Sequence, residues 1–194
     1  MARLRAAPRV VTDTERRGFF SSPAALAAVA LVLAATVAAE PAAAQVSKSG
    51  FTLPLDLALE AAQEAVRTCA ASGYDVTATV VDVAGTPQVV LRGDHATIHT
   101  KDSAYRKAYT IVTMGPIFQV NTTSQFLAVL TKYPPLAAQS LASTPNVTTL
   151  PGGAAIEAHN EIVAGIGVGG SPGGDKDEVC ALAGVTKIQG KLPH

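Results

Sequence analysis

The stretch PGGAAIEAHNEIVAGIGVGG, residues 151–170, decides how this chain is read. A Pro-Gly-Gly turn opens it, His159 and Asn160 break it in the middle, and apolar residues fill both halves. Two β-strands joined by a polar turn are the simplest account, with His159 as a turn residue. In the second strand Ile162, Ala164 and Ile166 alternate with Val163, Gly165 and Gly167, which makes one face bulky and the other bare. A bare glycine face admits a closely packed helix or a flat ligand.

The flanking chain supplies the partners such a hairpin needs. Residues 75–83, rich in Val and Thr, and residues 88–91 read as a second hairpin joined through Ala84, Gly85 and Thr86. Before it, Leu55, Ala58, Leu59, Ala62, Ala65, Val66 and Cys69 recur at three- and four-residue intervals and mark the buried side of a helix that ends at Gly73. Glu60 and Glu64 lie one turn apart on its other side and read as a solvated face rather than a metal pair.

Thr100 or Asp102 caps the next helix, with Ala104, Ala108, Ile111 and Val112 inward. Tyr105, Arg106, Lys107, Tyr109, Thr110 and Thr113 decorate this helix, and Gly115 with Pro116 stops it. Thr122 or Thr123 caps a further helix that breaks at Tyr133, Pro134 and Pro135; residues 139–142 add one more turn, and residues 147–150 read as a short strand. Asp175 and Glu178 fit a capping box for the last helix, whose buried side is Val179, Leu182, Ala183 and Ile188. The economical layer solution is an α/β single domain, an antiparallel β-sheet flanked by α-helices.

Residues 1–44 differ from the rest. Five arginines, two of them paired as Arg16 and Arg17, precede an uncharged, alanine-rich run over residues 23–39, and Ala42, Ala43 and Ala44 supply small residues for cleavage. This reads as an export signal of twin-arginine type, followed by a mature domain over 45–194 with Gln45 at its start and no stable membrane span. The protein is therefore expected to be secreted or extracytoplasmic. The mature part carries ten Lys and Arg against twelve Asp and Glu, so its net charge is −2. That balance offers no basic footprint for nucleic acid. Cys69 and Cys180 are the only cysteines; in an exported chain they allow one disulfide closing a loop of about 110 residues, or two buried thiols.

The candidate chemistry gathers between residues 92 and 114. Arg92, Asp94 and His95 follow a strand end, and Arg92 either pairs with Asp82 or Asp94 or faces an anionic ligand. His95 and His99 are spaced four apart, yet no third ligand stands at zinc-motif spacing. Met114 is either an axial ligand or core filling. No GxSxG elbow, HExxH motif, CxxC pair or phosphate loop occurs.

Taken together, VVDVAGTPQVVLRGD at 80–94, SAYRKAYT at 103–110, PGGAAI at 151–156, IVAGIGVGG at 162–170 and DKDEVCALAG at 175–184 resemble the haem-degrading and haem-binding family of GlcG-like and HbpS-like proteins. The resemblance spans essentially all of the mature domain. It implies a compact antiparallel sheet flanked by helices, assembled as a homo-oligomer from dimer to octamer, with haem as cofactor and small-molecule ligand. Haem binding, slow haem degradation and iron handling are the implied activities; an enzyme for a small carboxylate or hydroxy acid and a cofactor-free sensory accessory protein are the alternatives. Arg92, Asp94, Lys107, Thr110 and the turn Pro151, Gly152 and Gly153 are implied as the pocket wall. A threonine near iron in relatives points to Thr110 or Thr113, whereas ligand chemistry favours His95 or His99. Gly169 stands where many relatives have Ser.

Overall fold

The computed structural model describes residues 49–193. The expected export signal and its cleavage site lie outside the described residues. In chain order the elements are α1 (Leu55–Ala71), β1 (Thr77–Asp82), β2 (Pro87–Arg92), α2 (Thr100–Phe118), α3 (Thr123–Leu130), α4 (Pro135–Ala142), β3 (Gly153–Ala158), β4 (Glu161–Gly169) and α5 (Gly174–Gln189). The strands form one antiparallel sheet in the order β2-β1-β4-β3. The expected architecture, an antiparallel sheet with helices packed on it, is the one found.

The β3–β4 hairpin sits at the centre of the packing. His159 and Asn160 both have positive φ, 52° and 57°, as a tight type I′ connection requires. Glycines at 165, 167 and 169 bare one face of β4, and α2 lies directly on it. A Cβ on Gly165 would come within 2.8 Å of the Ala108 carbonyl oxygen, and one on Gly167 would collide with the Ala104 carbonyl. The bare face is therefore filled by helix backbone. On the opposite face Ala154, Ile156, Ala164, Ile166 and Val168 join Ala78 and Val80 against α1 and α5.

One residue breaks the simple alternation. The β3–β4 register shifts between Ile156↔Ala164 and Glu157↔Ile162, leaving Val163 as the extra residue of a bulge. Ile162 consequently packs with the α2 core beside Gly115 instead of sharing a face with Ala164 and Ile166.

Several helical faces also differ from their expected ones. In α1 the inward residues are Ala58, Ala61, Ala62, Ala65 and Cys69, whereas Leu55 and Leu59 are exposed. In α5 the inward residues are Asp177, Glu178, Cys180, Ala181, Gly184 and Ile188, and Val179 and Leu182 face outward. The cause is the close approach of the two helices: a Cβ on Gly184 would stand 2.5 Å from the Ala61 carbonyl oxygen, so only small side chains fit the seam. Cys69 and Cys180 lie in that seam and form a disulfide, with Cα atoms 5.6 Å apart.

Helix α2 runs through Gly115 and Pro116 to Phe118 and closes at Gln119, which adopts φ 53°. Tertiary packing overrides the break there, since Gly115 is pressed between the Ile162 side chain and the Val120 carbonyl. Thr122 caps α3 in a capping box with Gln125. Residues 147–150 form no strand; Val147 is buried and its carbonyl accepts from Arg106. No helix among the described residues is long and apolar enough to cross a membrane.

Candidate functional site

The residues singled out from sequence fall into three places. The first is the turn after β2. Strand alternation sends Val89 and Leu91 toward α1 and leaves Val90 and Arg92 on the α2 face, where Val90 remains exposed. Arg92 pairs with neither Asp82 nor Asp94: Asp82 accepts from the Ala84 and Thr86 N–H groups at 2.9 Å each, and the Arg92 guanidinium donates to the Ala96 carbonyl. That bond ties the strand end to the loop carrying Asp94, His95 and His99, all exposed.

The loop is held at both ends. Gly93 N–H donates to the Val76 carbonyl at 2.9 Å, and the Thr100 hydroxyl donates to the Thr97 carbonyl at 2.6 Å while lying 2.7 Å from the Thr77 hydroxyl on β1. His99 precedes the first turn of α2, and its Nδ1 lies 3.1 Å from the Thr97 hydroxyl. A hydrogen bond at Nδ1 fixes the ring and leaves Nε2 as its second nitrogen for a ligand.

The second place is buried. Lys107 was expected to decorate α2, yet it is 2 % exposed. Its Nζ donates to Asp177 Oδ2 at 2.6 Å and to the Val168 carbonyl at 2.8 Å, and the other Asp177 oxygen accepts from Ser171 N–H at 2.9 Å. Glu178 does not complete a capping box with Asp175; the α5 start has no side-chain cap. Its carboxylate instead gathers Ser124 N–H at 3.0 Å, the Ser124 hydroxyl at 2.5 Å, the Thr123 hydroxyl at 3.3 Å and Gly152 N–H at 3.1 Å. Gly153 N–H in turn donates to the Thr123 hydroxyl at 2.9 Å.

Lys107 and the Pro151–Gly153 turn thus do meet, around two carboxylates that the sequence reading missed. Gly152 has φ 123°, and a Cβ there would stand 2.8 Å from Lys107 Nζ. Burial and full hydrogen bonding make this a clamp joining α2, α3, β4 and α5. The signal for it was present in α2: Lys107 shares a stripe with Ala104 and Ile111, at i−3 and i+4, and an ammonium on a buried stripe needs a buried carboxylate. Thr110 belongs to the same interior, with its hydroxyl donating to the Arg106 carbonyl at 2.7 Å and accepting from Thr148 N–H at 2.9 Å.

Thr113 is the third place. It is half-buried, donates to the Tyr109 carbonyl at 2.8 Å, and stands about 21 Å along the α2 axis from His99 at 1.5 Å per residue. Thr113 and the two histidines therefore cannot meet one metal ion within one copy of the chain. Arg92 is likewise separated from the Pro151 turn by three strand spacings, about 14 Å. Among the described residues no group of three or more His, Cys, Asp and Glu side chains is placed to hold a metal ion.

Comparison with known proteins bears on this arrangement. A family model described as haem degrading protein HbpS-like matches residues 53–186. The fold superposes on a crystal structure of a Streptomyces reticuli HbpS double mutant with a TM-score of 0.64 and 37% identity, covering 77% of this chain and 97% of that one. Another HbpS crystal structure matches at 35% identity over 76% of this chain and 97% of its own, again with a TM-score of 0.64. A crystal structure of a PduOC–haem complex shares the fold at 22% identity and a TM-score of 0.62, over 71% of this chain and 96% of its own. No curated protein matches. With its family match spanning α1 to α5, this chain belongs to the HbpS-like haem-degrading protein family.

Proposed function

We propose that this protein is an exported haem-binding protein acting in haem or iron handling, with the site on the Arg92–His99 loop. The observation that carries the reading is the donor set gathered there within the HbpS-like fold. His99 is oriented through Nδ1 by Thr97, His95 is exposed on the same loop, and Arg92 is tied to that loop through Ala96. Exposed Val90 and Ile98 add apolar surface. These residues fit the group: an imidazole nitrogen for iron, a guanidinium for a propionate and apolar side chains for the ring.

Bound haem would supply the redox-active iron, and the chain supplies position and polarity around it. Arg92 meets a propionate, since Lys107 is committed to Asp177. His99 would offer Nε2 to the iron, with its Nδ1 hydrogen-bonded to the Thr97 hydroxyl, a contact that orients the ring. Asp94 and His95, both exposed on the same loop, are further polar contacts for the ligand in this reading. Thr113, whose hydroxyl is a weak neutral ligand, stays the second candidate for iron, and Thr110 and the Pro151–Gly153 turn act behind the wall by fixing α2. Residues 1–44 are the export signal and 45–194 the mature domain in this reading, which Edman sequencing of the exported protein tests through a start at Gln45.

The site is tested by haemin titration of His99→Ala, His95→Ala, Thr113→Ala and Arg92→Ala. The expected result is a Soret band lost or displaced in His99→Ala, weakened binding in Arg92→Ala and a band retained in Thr113→Ala. Loss in Thr113→Ala with His95→Ala and His99→Ala unchanged would move the iron to the other end of α2.

A further inference from the structure

Residues 108–156 contain one charged side chain, Lys132, in a protein with fifteen Lys and Arg and fifteen Asp and Glu. Within that stretch a cleft of about 280 Å³ opens between α3 and α4, with Leu127, Leu130, Ala138 and Ala142 as its apolar lining. Thr131 also lines it, but its hydroxyl is turned back on the Ala128 carbonyl at 2.7 Å and offers the cleft no free donor. No aromatic ring, carboxylate or ammonium is among the lining side chains. The cleft therefore suits a saturated hydrocarbon better than a flat or polar molecule.

The mouth of the cleft has the opposite character. Lys132 directly follows Thr131 of the lining, is exposed, and makes no ion pair among the described residues. Gln139, on α4, brings an exposed amide to the same cleft. One unpaired cation beside an apolar slot is complementary to an anion that carries a hydrocarbon chain. Helix α4 adds a second reason for an apolar occupant: it has no buried residue, and eight residues are too few to hold a helix without packing. A cavity of about 150 Å³ takes up benzene, so this cleft has room for a chain of roughly ten carbons.

We propose that the α3–α4 cleft binds a free fatty acid, its chain lying between the leucines of α3 and the alanines of α4 and its carboxylate meeting Lys132 and the Gln139 amide. A single-chain molecule is favoured over a bilayer because a face seated on a membrane carries several Lys and Arg around its apolar side chains, whereas this one carries Lys132 alone. The chain would give α4 the apolar packing that it lacks. The site shares no residue with the Arg92–His99 loop and stands whether or not that loop holds haem.

The test is calorimetric titration of the full chain with decanoate below its micelle concentration, beside decanol, decyltrimethylammonium and phosphatidylglycerol vesicles. Decanoate is expected to saturate a single site, with affinity rising about threefold to fourfold per methylene from hexanoate to decanoate and levelling off beyond it. Lys132→Gln should bind decanoate about twofold to fivefold more weakly, at the level of decanol. Ala142→Trp, which fills the cleft, should bind none while circular dichroism shows the fold intact. If that variant unfolds, Ala142→Leu serves in its place with the same expected direction. Absence of decanoate binding, decyltrimethylammonium binding as tightly as decanoate, or a folded Ala142 variant that binds like the wild type overturns the proposal. Binding to the vesicles without binding to decanoate also overturns it and makes the face a membrane contact.

Discussion

Lys107 Nζ lies 2.6 Å from Asp177 Oδ2, with 3% and 4% of their side chains accessible, and the two residues are seventy positions apart in the chain. The pair fixes the bare-faced hairpin between α2 and α5. Removing one partner leaves the other charge buried without compensation, so Lys107→Met is expected to cost about 3–5 kcal/mol. Adding Asp177→Leu should recover part of that loss, even with Ser171 N–H and the Val168 carbonyl left unpaired. Urea unfolding of the two single variants and the double variant checks the order.

The glycine face of β4 makes a sharper claim about packing. Gly167→Ala sets a methyl group against the Ala104 carbonyl and should destabilise by about 1–3 kcal/mol as α2 is pushed outward. Gly190, with nothing within 4 Å of its would-be Cβ and φ −70°, is the control. Gly190→Ala is expected to stay within about 0.5 kcal/mol of wild type. Thermal melts of both variants distinguish a packing glycine from a replaceable one.

Much of this fold could be read in the chain. The hairpin was legible because period-two alternation, glycines and the His159–Asn160 turn all agree locally. The faces of α1 and α5 were not, because leucine usually marks the inside, whereas here Gly184 against Ala61 demands a seam of alanines that only the pairing of the two helices reveals. The buried clamp was hidden for the same reason: Glu178 reaches Ser124 and Gly152, fifty-four and twenty-six positions away, and sequence offers it only the nearer Asp175 as a capping partner. Of the candidate site, the Arg92–His99 loop was legible as a cluster of chemistry, while the separation of Thr113 from it follows from the axis of a straight helix.

The disulfide joins α1 to α5 across a sequence separation of 111. Replacing Cys69 and Cys180 together by Ala should cost about 2–5 kcal/mol, mainly by freeing the unfolded chain. Denaturation of the double variant, compared with wild type under non-reducing conditions, measures it.

Glu60 has its carboxyl held below the ordinary carboxylate range, chiefly by its hydrogen bond from Lys191, which outweighs the opposing effect of desolvation, with the charges of Lys191 and Lys187 adding to the lowering. The native state therefore keeps Glu60 charged at pH values where the unfolded chain has it protonated. The stability from this pair is complete above the unfolded value and disappears as the pH falls through the folded one. The Tm difference between wild type and Glu60→Gln should be small at neutral pH, smaller in high salt, and absent in acid.

Haem binding by this chain is tested by the absorbance spectrum of the purified wild-type protein titrated with haemin. A shifted Soret band that saturates at micromolar haemin is the expected result. A spectrum identical to free haemin throughout the titration would contradict it.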